Sequence, residues 1–141
     1  MKALIDTCVI VDVLQKRKPF YETAMDIVLA VSNRRCLGVL TAKSITDIYY
    51  ILRRSIHNEK DVRELLRVLF TLFDVEDTFS TDCQLAVGSL MKDYEDAIMV
   101  QTGLRVGAGC IVTRNLKDYV LSELPVFSPE EFLAKIAEEQ I

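Results

Sequence analysis

Residues 93–119 read DYEDAIMVQTGLRVGAGCIVTRNLKDY, and their pattern decides the fold. The spacing predicts a helix over 94–106, with Asp93 as its N-cap in a D-x-x-D sequence that resembles a capping box. Gly107 closes it, because glycine takes the left-handed turn common after a last helical turn. CIVT at 110–113 then has the length and composition of a buried strand, and RNLKDY that of a short helical turn.

Working outward, the same alternation recurs. Toward the C-terminus, residues 124–127 read as a strand, and Ser128-Pro129-Glu130-Glu131 opens a last helix with a capping box. Toward the N-terminus lie a helix at 81–91 capped by Ser80 or Thr81, a short strand in DVED, and an amphipathic helix at 60–73. SITDIYYILRR places Ile45, Ile48, Tyr49 and Leu52 on one helical face with Asp47 off that stripe, and CLGVL at 36–40 is a strand. Phe20, Ala24, Ile27, Val28 and Val31 give a helix over 19–35, and ALIDTCVI at 3–10 reads as an apolar strand broken by Asp6. Strands alternating with helices predict an α/β class with a central, mostly parallel sheet flanked by helices, since parallel strands need crossover connections. The strand order stays open.

The composition narrows the function. With 141 residues, half of them hydrophobic, the chain is expected to form one domain over 1–141. Cys8, Cys36, Cys83 and Cys110 lie far apart without a C-x-x-C pair, which argues against zinc and redox motifs and for a reduced, cytoplasmic protein. The apolar start is interrupted by Asp6 and Asp12, unlike a signal peptide, and no run is long enough to span a membrane. Net charge is −4, but residues 1–72 carry 12 basic and 8 acidic side chains while 73–141 carry 5 and 13, which permits a basic flank beside an acidic site.

Four carboxylates, Asp6, Asp47, Asp96 and Asp118, fall just after predicted strands or in the helices that follow, and parallel sheets bring such positions together at their carboxyl edge. Several carboxylates at one spot repel unless a cation neutralises them, so a magnesium or manganese site is the economical expectation. Such cations activate water and stabilise the leaving oxygen in phosphodiester cleavage. Each residue has a plainer alternative: a turn or cap for Asp6, a solvated helix face for Asp47, the N-cap for Asp93, a surface turn for Asp118. Thr113 and Asn115 can hydrogen-bond a carboxylate, though Asn115 is also a natural cap. Asp12, Asp26, Asp61 and Asp82 read as caps or solvated faces, and His57, the single histidine, as a surface residue.

IDTCVIVDVL (5–14), TDIYYILRR (46–54) and the 93–119 stretch, in that order and spacing, resemble the PIN domain over nearly the whole chain. The resemblance implies a Rossmann-like three-layer sandwich with an acidic pocket for magnesium or manganese, cleavage of single-stranded or exposed RNA, and, as in many small bacterial members, a toxin paired with an antitoxin. It makes Asp6 the first acid, with Thr7 the hydroxyl residue after it, Asp96 the third, and Thr113, Asn115 and Asp118 the fourth region. Asp6, Asp96 and Asp118 are then the metal ligands. Asp47 stands where many relatives carry glutamate, one methylene longer. Arg53, Arg54, Arg114 and Lys117 are candidates for holding the RNA backbone, against the ordinary solubilising role of such side chains.

Rival classes fit less well. An aspartyl-nucleophile phosphatase wants a second aspartate two residues after the first, where Cys8 stands, and a receiver module wants its phosphoacceptor on a middle strand, where CLGVL has none. A catalytically inactive PIN-fold binding module, acting through a protein or RNA partner, remains the alternative. The Tyr49, Tyr50 and Leu52 helix and the 62–73 helix offer apolar surface for a homodimer or an antitoxin peptide.

Overall fold

The computed structural model describes residues 1–139. Its five strands form one parallel sheet in which β1 (Lys2–Ile5) is central, β2 (Leu37–Thr41) and β3 (Asp74–Glu76) lie to one side, and β4 (Cys110–Val112) and β5 (Val126–Phe127) to the other. The chain therefore leaves β1 in one direction and returns to its other side, which makes the β1/β4 boundary the topological switch point, the place where such sheets bind ligands.

Alternation along the strands divides the core. Ala3, Ile5, Leu40, Cys110 and Val112 face one layer, where Val9 of α1 (Thr7–Leu14), Ile27 of α2 (Tyr21–Ser32), Ile48 of α3 (Ala42–Ser55), Leu69 of α4 (Glu59–Leu72) and Phe132 of α7 (Pro129–Glu139) cover them. Leu4, Val39 and Ile111 face the other, against Met99 and Val100 of α6 (Tyr94–Arg105). Short α5 (Ser80–Val87) packs on α6 through Ala86, Ala97 and Ile98. The result is the three-layer α/β sandwich that the sequence pattern implies. Gly107, at φ +75°, turns the chain out of α6 toward β4, a backbone state that a side chain would strain. Among the described residues no helix is long and apolar enough to cross a membrane.

The strand expected over 3–10 stops at Ile5, and residues 7–14 are helical. Asp6 ends the strand and caps α1, its Oδ1 accepting from the Thr7 amide at 2.8 Å. The run CVIV stays apolar because Val9, Ile10 and Val11 of α1 are all buried, and a short apolar run does not separate a buried helix from a buried strand. The helix expected over 81–91 ends at Val87, and its N-cap is Phe79 rather than Ser80 or Thr81, with Asp82 Oδ2 accepting from the Phe79 amide at 3.0 Å. Leu52 is fully buried against the core, so of the apolar surface expected on α3 and α4 only Tyr50, Val68 and Phe70 stand exposed.

Candidate functional site

Asp6 sits at the carboxyl end of the central strand with 9% of its surface exposed, its amide donating to Val112 O at 2.9 Å. Because β1 and β4 are in register at Ile5 and Val112, the next residue of each strand meets across the switch point, and Thr113 Oγ1 donates to Asp6 Oδ2 at 2.7 Å. The Asn115 amide donates to that same hydroxyl at 3.0 Å, which leaves the hydroxyl proton for Asp6. Cys8 Sγ lies 3.7 Å from Asp6 Oδ2. Burial pushes the Asp6 carboxyl above its ordinary range, against the opposing bonds from Thr113 and Thr7.

Asp96 reaches the same place from the first turn of α6. Its amide is taken by Asp93 Oδ1 at 3.2 Å, which is the predicted cap, and Tyr119 donates its hydroxyl to Asp96 Oδ1 at 3.1 Å. The Asp96 carboxyl is pushed up to about 7 by burial first, then by the charges of Asp6, Asp93 and Asp118. Tyr119, buried and facing the Asp6 and Asp96 charges, is held far from ionising, so it remains a hydrogen-bond donor.

Asp6 and Asp96 open into a cleft of about 410 Å³ that Asp47 and Asn115 also line. Asp118, half-exposed in the 3-10 turn Leu116–Tyr119, is not part of the lining and acts on Asp96 through its charge. Among the described residues no three acidic, histidine or cysteine side chains converge tightly enough to form a ready-made metal cage, and none of the ion pairs involves Asp6 or Asp96. Asp47 differs from both: Lys43 Nζ donates to its Oδ2 at 2.8 Å and also lies 3.5 Å from Glu95 Oε2.

Of the basic candidates, Arg54 lines the cleft and Lys117 is exposed on the turn. Arg53 is spent on the end of α3, donating to Ile56 O at 3.0 Å. Arg114 is committed to the interior: it forms a two-pronged ion pair with Asp12, with Nη2 3.0 Å from Oδ1, and stacks 3.9 Å over the Phe20 ring. Asp12, expected as a cap or on a solvated face, is neither: it is 1% exposed because of this pair. Asp82 is a cap, as one reading had it, yet also 1% exposed, gripped by Arg105 Nε at 3.0 Å and by the Thr102 hydroxyl at 2.9 Å.

Sequence reasoning missed Lys43, Glu95, Arg17 and Tyr119, the first three lining the cleft. The Lys43 and Asp47 pair was detectable as an i,i+4 spacing on a predicted helix. Tyr119 had no signal beyond following Asp118.

Solved structures share this fold. FitAcB from Neisseria gonorrhoeae is 16% identical with a TM-score of 0.67, covering 91% of this chain and 98% of its own. A toxin-antitoxin complex from Klebsiella pneumoniae is 22% identical with a TM-score of 0.65, over 90% and 97% of the two chains. VapC20 of Mycobacterium tuberculosis, a sarcin-ricin-loop-cleaving toxin, is 14% identical with a TM-score of 0.65, over 87% and 98%. No curated protein matches the sequence. The PIN domain family model matches residues 2–117, spanning β1, the cleft and the Thr113 to Asn115 segment. The chain belongs to the PIN-domain family.

Proposed function

We propose that this protein is a metal-dependent endoribonuclease, the toxin of a toxin-antitoxin pair, acting at the Asp6 and Asp96 cleft. The observation that carries the reading is the pairing of these two carboxylates at the switch point with only neutral donors around them, Thr113 and Thr7 for Asp6 and Tyr119 for Asp96. Two mutually repelling acids with no ion pair among the described residues form an incomplete electrostatic unit.

A hard divalent cation fits this donor set. Magnesium is held by one or two carboxylates with waters and substrate phosphates rather than by an all-protein cage, so a pair of acids is enough for it. Asp6 and Asp96 would hold it, with Asp118 adding negative charge from the rim; manganese accepts the same oxygens. Such a cation supplies water activation and charge neutralisation at a phosphodiester. The protein's own part is orientation. Thr113 and the Thr7 amide fix both Asp6 oxygens, Tyr119 fixes one Asp96 oxygen, and the open cleft admits a flexible strand.

VapC20 is described as cleaving the sarcin-ricin loop, and other structural neighbours are toxin-antitoxin complexes, which supports RNA as substrate and an antitoxin as partner. The exposed Val68 and Phe70 of α4 support pairing of two copies, to be checked by light scattering. The free cysteines suit a reducing cytoplasm. One observation favours the alternative, a non-catalytic PIN-fold binding module: Asp47, the expected second acid, is neutralised by Lys43.

Cleavage of a labelled, mixed-sequence single-stranded RNA with magnesium, manganese or chelator, beside Asp96→Asn, tests the reading. Metal-dependent cleavage lost in the variant is expected. Folded protein that cleaves under none of these conditions overturns it in favour of the binding module.

A further inference from the structure

We propose that Lys43 is a substrate-contacting residue that binds a phosphate of single-stranded RNA beside the Asp6 and Asp96 pair, and that Asp47 and Glu95 are the residues that hold it there. The inference rests on the nucleic-acid reading of this cleft and adds to it the group that meets the substrate's charge.

The position of Lys43 is costly on its own terms. It is the second residue of α3, and a cation at a helix N-terminus opposes the positive end of the macrodipole. Its side chain is only 24% exposed, so part of its hydration is lost as well. Two acids from different helices offset this: Asp47, one turn along α3, at 2.8 Å, and Glu95, at the start of α6, at 3.5 Å. Together they hold the ammonium in the lining of the cleft into which Asp6 and Asp96 open. An ammonium has three donors and these contacts engage two, which leaves one for a phosphate oxygen.

A polyanion gains little from the protein as a whole, whose net charge is −4, and so must be met locally. Arg17 and Arg54 line the same cleft, and Tyr50, 68% exposed one turn before Arg54, presents a ring to an unstacked base. Lys43 is the cation of this group anchored from both sides. Asp47 therefore works as a positioning residue for a lysine, which explains why the shorter aspartate serves at this place: its reach is set by Lys43.

The test is binding rather than turnover. Fluorescence anisotropy of a labelled single-stranded RNA, in chelator and at a series of salt concentrations, is compared for the full chain, Lys43→Met and Lys43→Arg, each checked for folding by thermal melting. Lys43→Met is expected to bind roughly tenfold more weakly, the effect of one charge-assisted contact, with the slope of log affinity against log salt shallower by about 0.7. Lys43→Arg retains the slope. A purely structural ion pair would not move the slope. Lys43→Met with unchanged affinity and slope overturns the proposal, as does a wild-type protein that fails to bind RNA. RNA bound through Lys43 yet never cleaved with any metal would remove the nuclease reading and leave this one standing. Cleavage that persists with an unchanged slope in Lys43→Met would do the reverse.

Discussion

The molecule buries aspartates in two different ways. Asp12 and Asp82, each 1% exposed, are paired with Arg114 and Arg105, and each guanidinium is stacked over a ring, Phe20 at 3.9 Å and Phe79 at 3.8 Å. Asp6 and Asp96 receive hydroxyl, amide and thiol donors, all neutral, and repel one another. A buried charge must be compensated, and here compensation comes from within the protein where the acid ties elements together, α1 to the β4 loop and α5 to α6. Where the acids face the cleft, none of the ion pairs among the described residues supplies it. On the proposed reading this separates acids that hold the fold from acids that take a ligand, although all four are aspartates in a negatively charged chain.

If the comparison holds, the two classes respond oppositely to substitution. The largest effect is expected for Arg114→Ala, which strands Asp12 in the interior and should cost roughly 3–5 kcal/mol of unfolding free energy in urea. Asp96→Asn should lower RNA cleavage by more than about 100-fold, and, since it removes a repelling charge, should raise the stability of the metal-free protein rather than lower it. Asp118→Asn, which removes a charge acting on Asp96 from the rim, should reduce cleavage about tenfold. The smallest is a pH effect at Asp82. Burial alone would raise its carboxyl, but the Arg105, Phe79 and Thr102 hydrogen bonds outweigh it and hold it below the ordinary value. Its contribution is thus present above about pH 3.9 and lost as pH falls further through the folded value. Unfolding midpoints compared between pH 5 and pH 3 should fall less steeply in Asp82→Asn; an equal fall in both proteins would mean that the pair does not discriminate.

How far this was legible in the sequence follows from the range of each interaction. The strands at the sheet centre were readable because their composition reflects burial on both faces, and the caps at Asp93 and Ser128 because they act within one turn. The first helix was hidden in an apolar run whose two solutions differ only in what packs around it. Asp6 stood out because a carboxylate that interrupts an apolar strand is costly wherever it lies, and Asp96 because Asp93, one turn earlier, takes the cap. Asp12 did not, since its partner Arg114 is 102 residues away and nothing local links the two. Asp47 was placed on the correct helix and its i,i+4 pairing with Lys43 is a local pattern, but the second acid on that lysine, Glu95, arrives from α6, and how α6 lies against α3 no local pattern records.

The most direct test of the central claim, that Asp6 and Asp96 form an uncompensated pair awaiting a cation, is thermal unfolding with chelator and with manganese, for the wild-type protein and for Asp96→Asn. The account predicts that manganese raises the wild-type midpoint, and that Asp96→Asn is already more stable in chelator and barely responds to the metal. A wild-type midpoint indifferent to manganese, together with an Asp96→Asn variant no more stable than its parent, would contradict it.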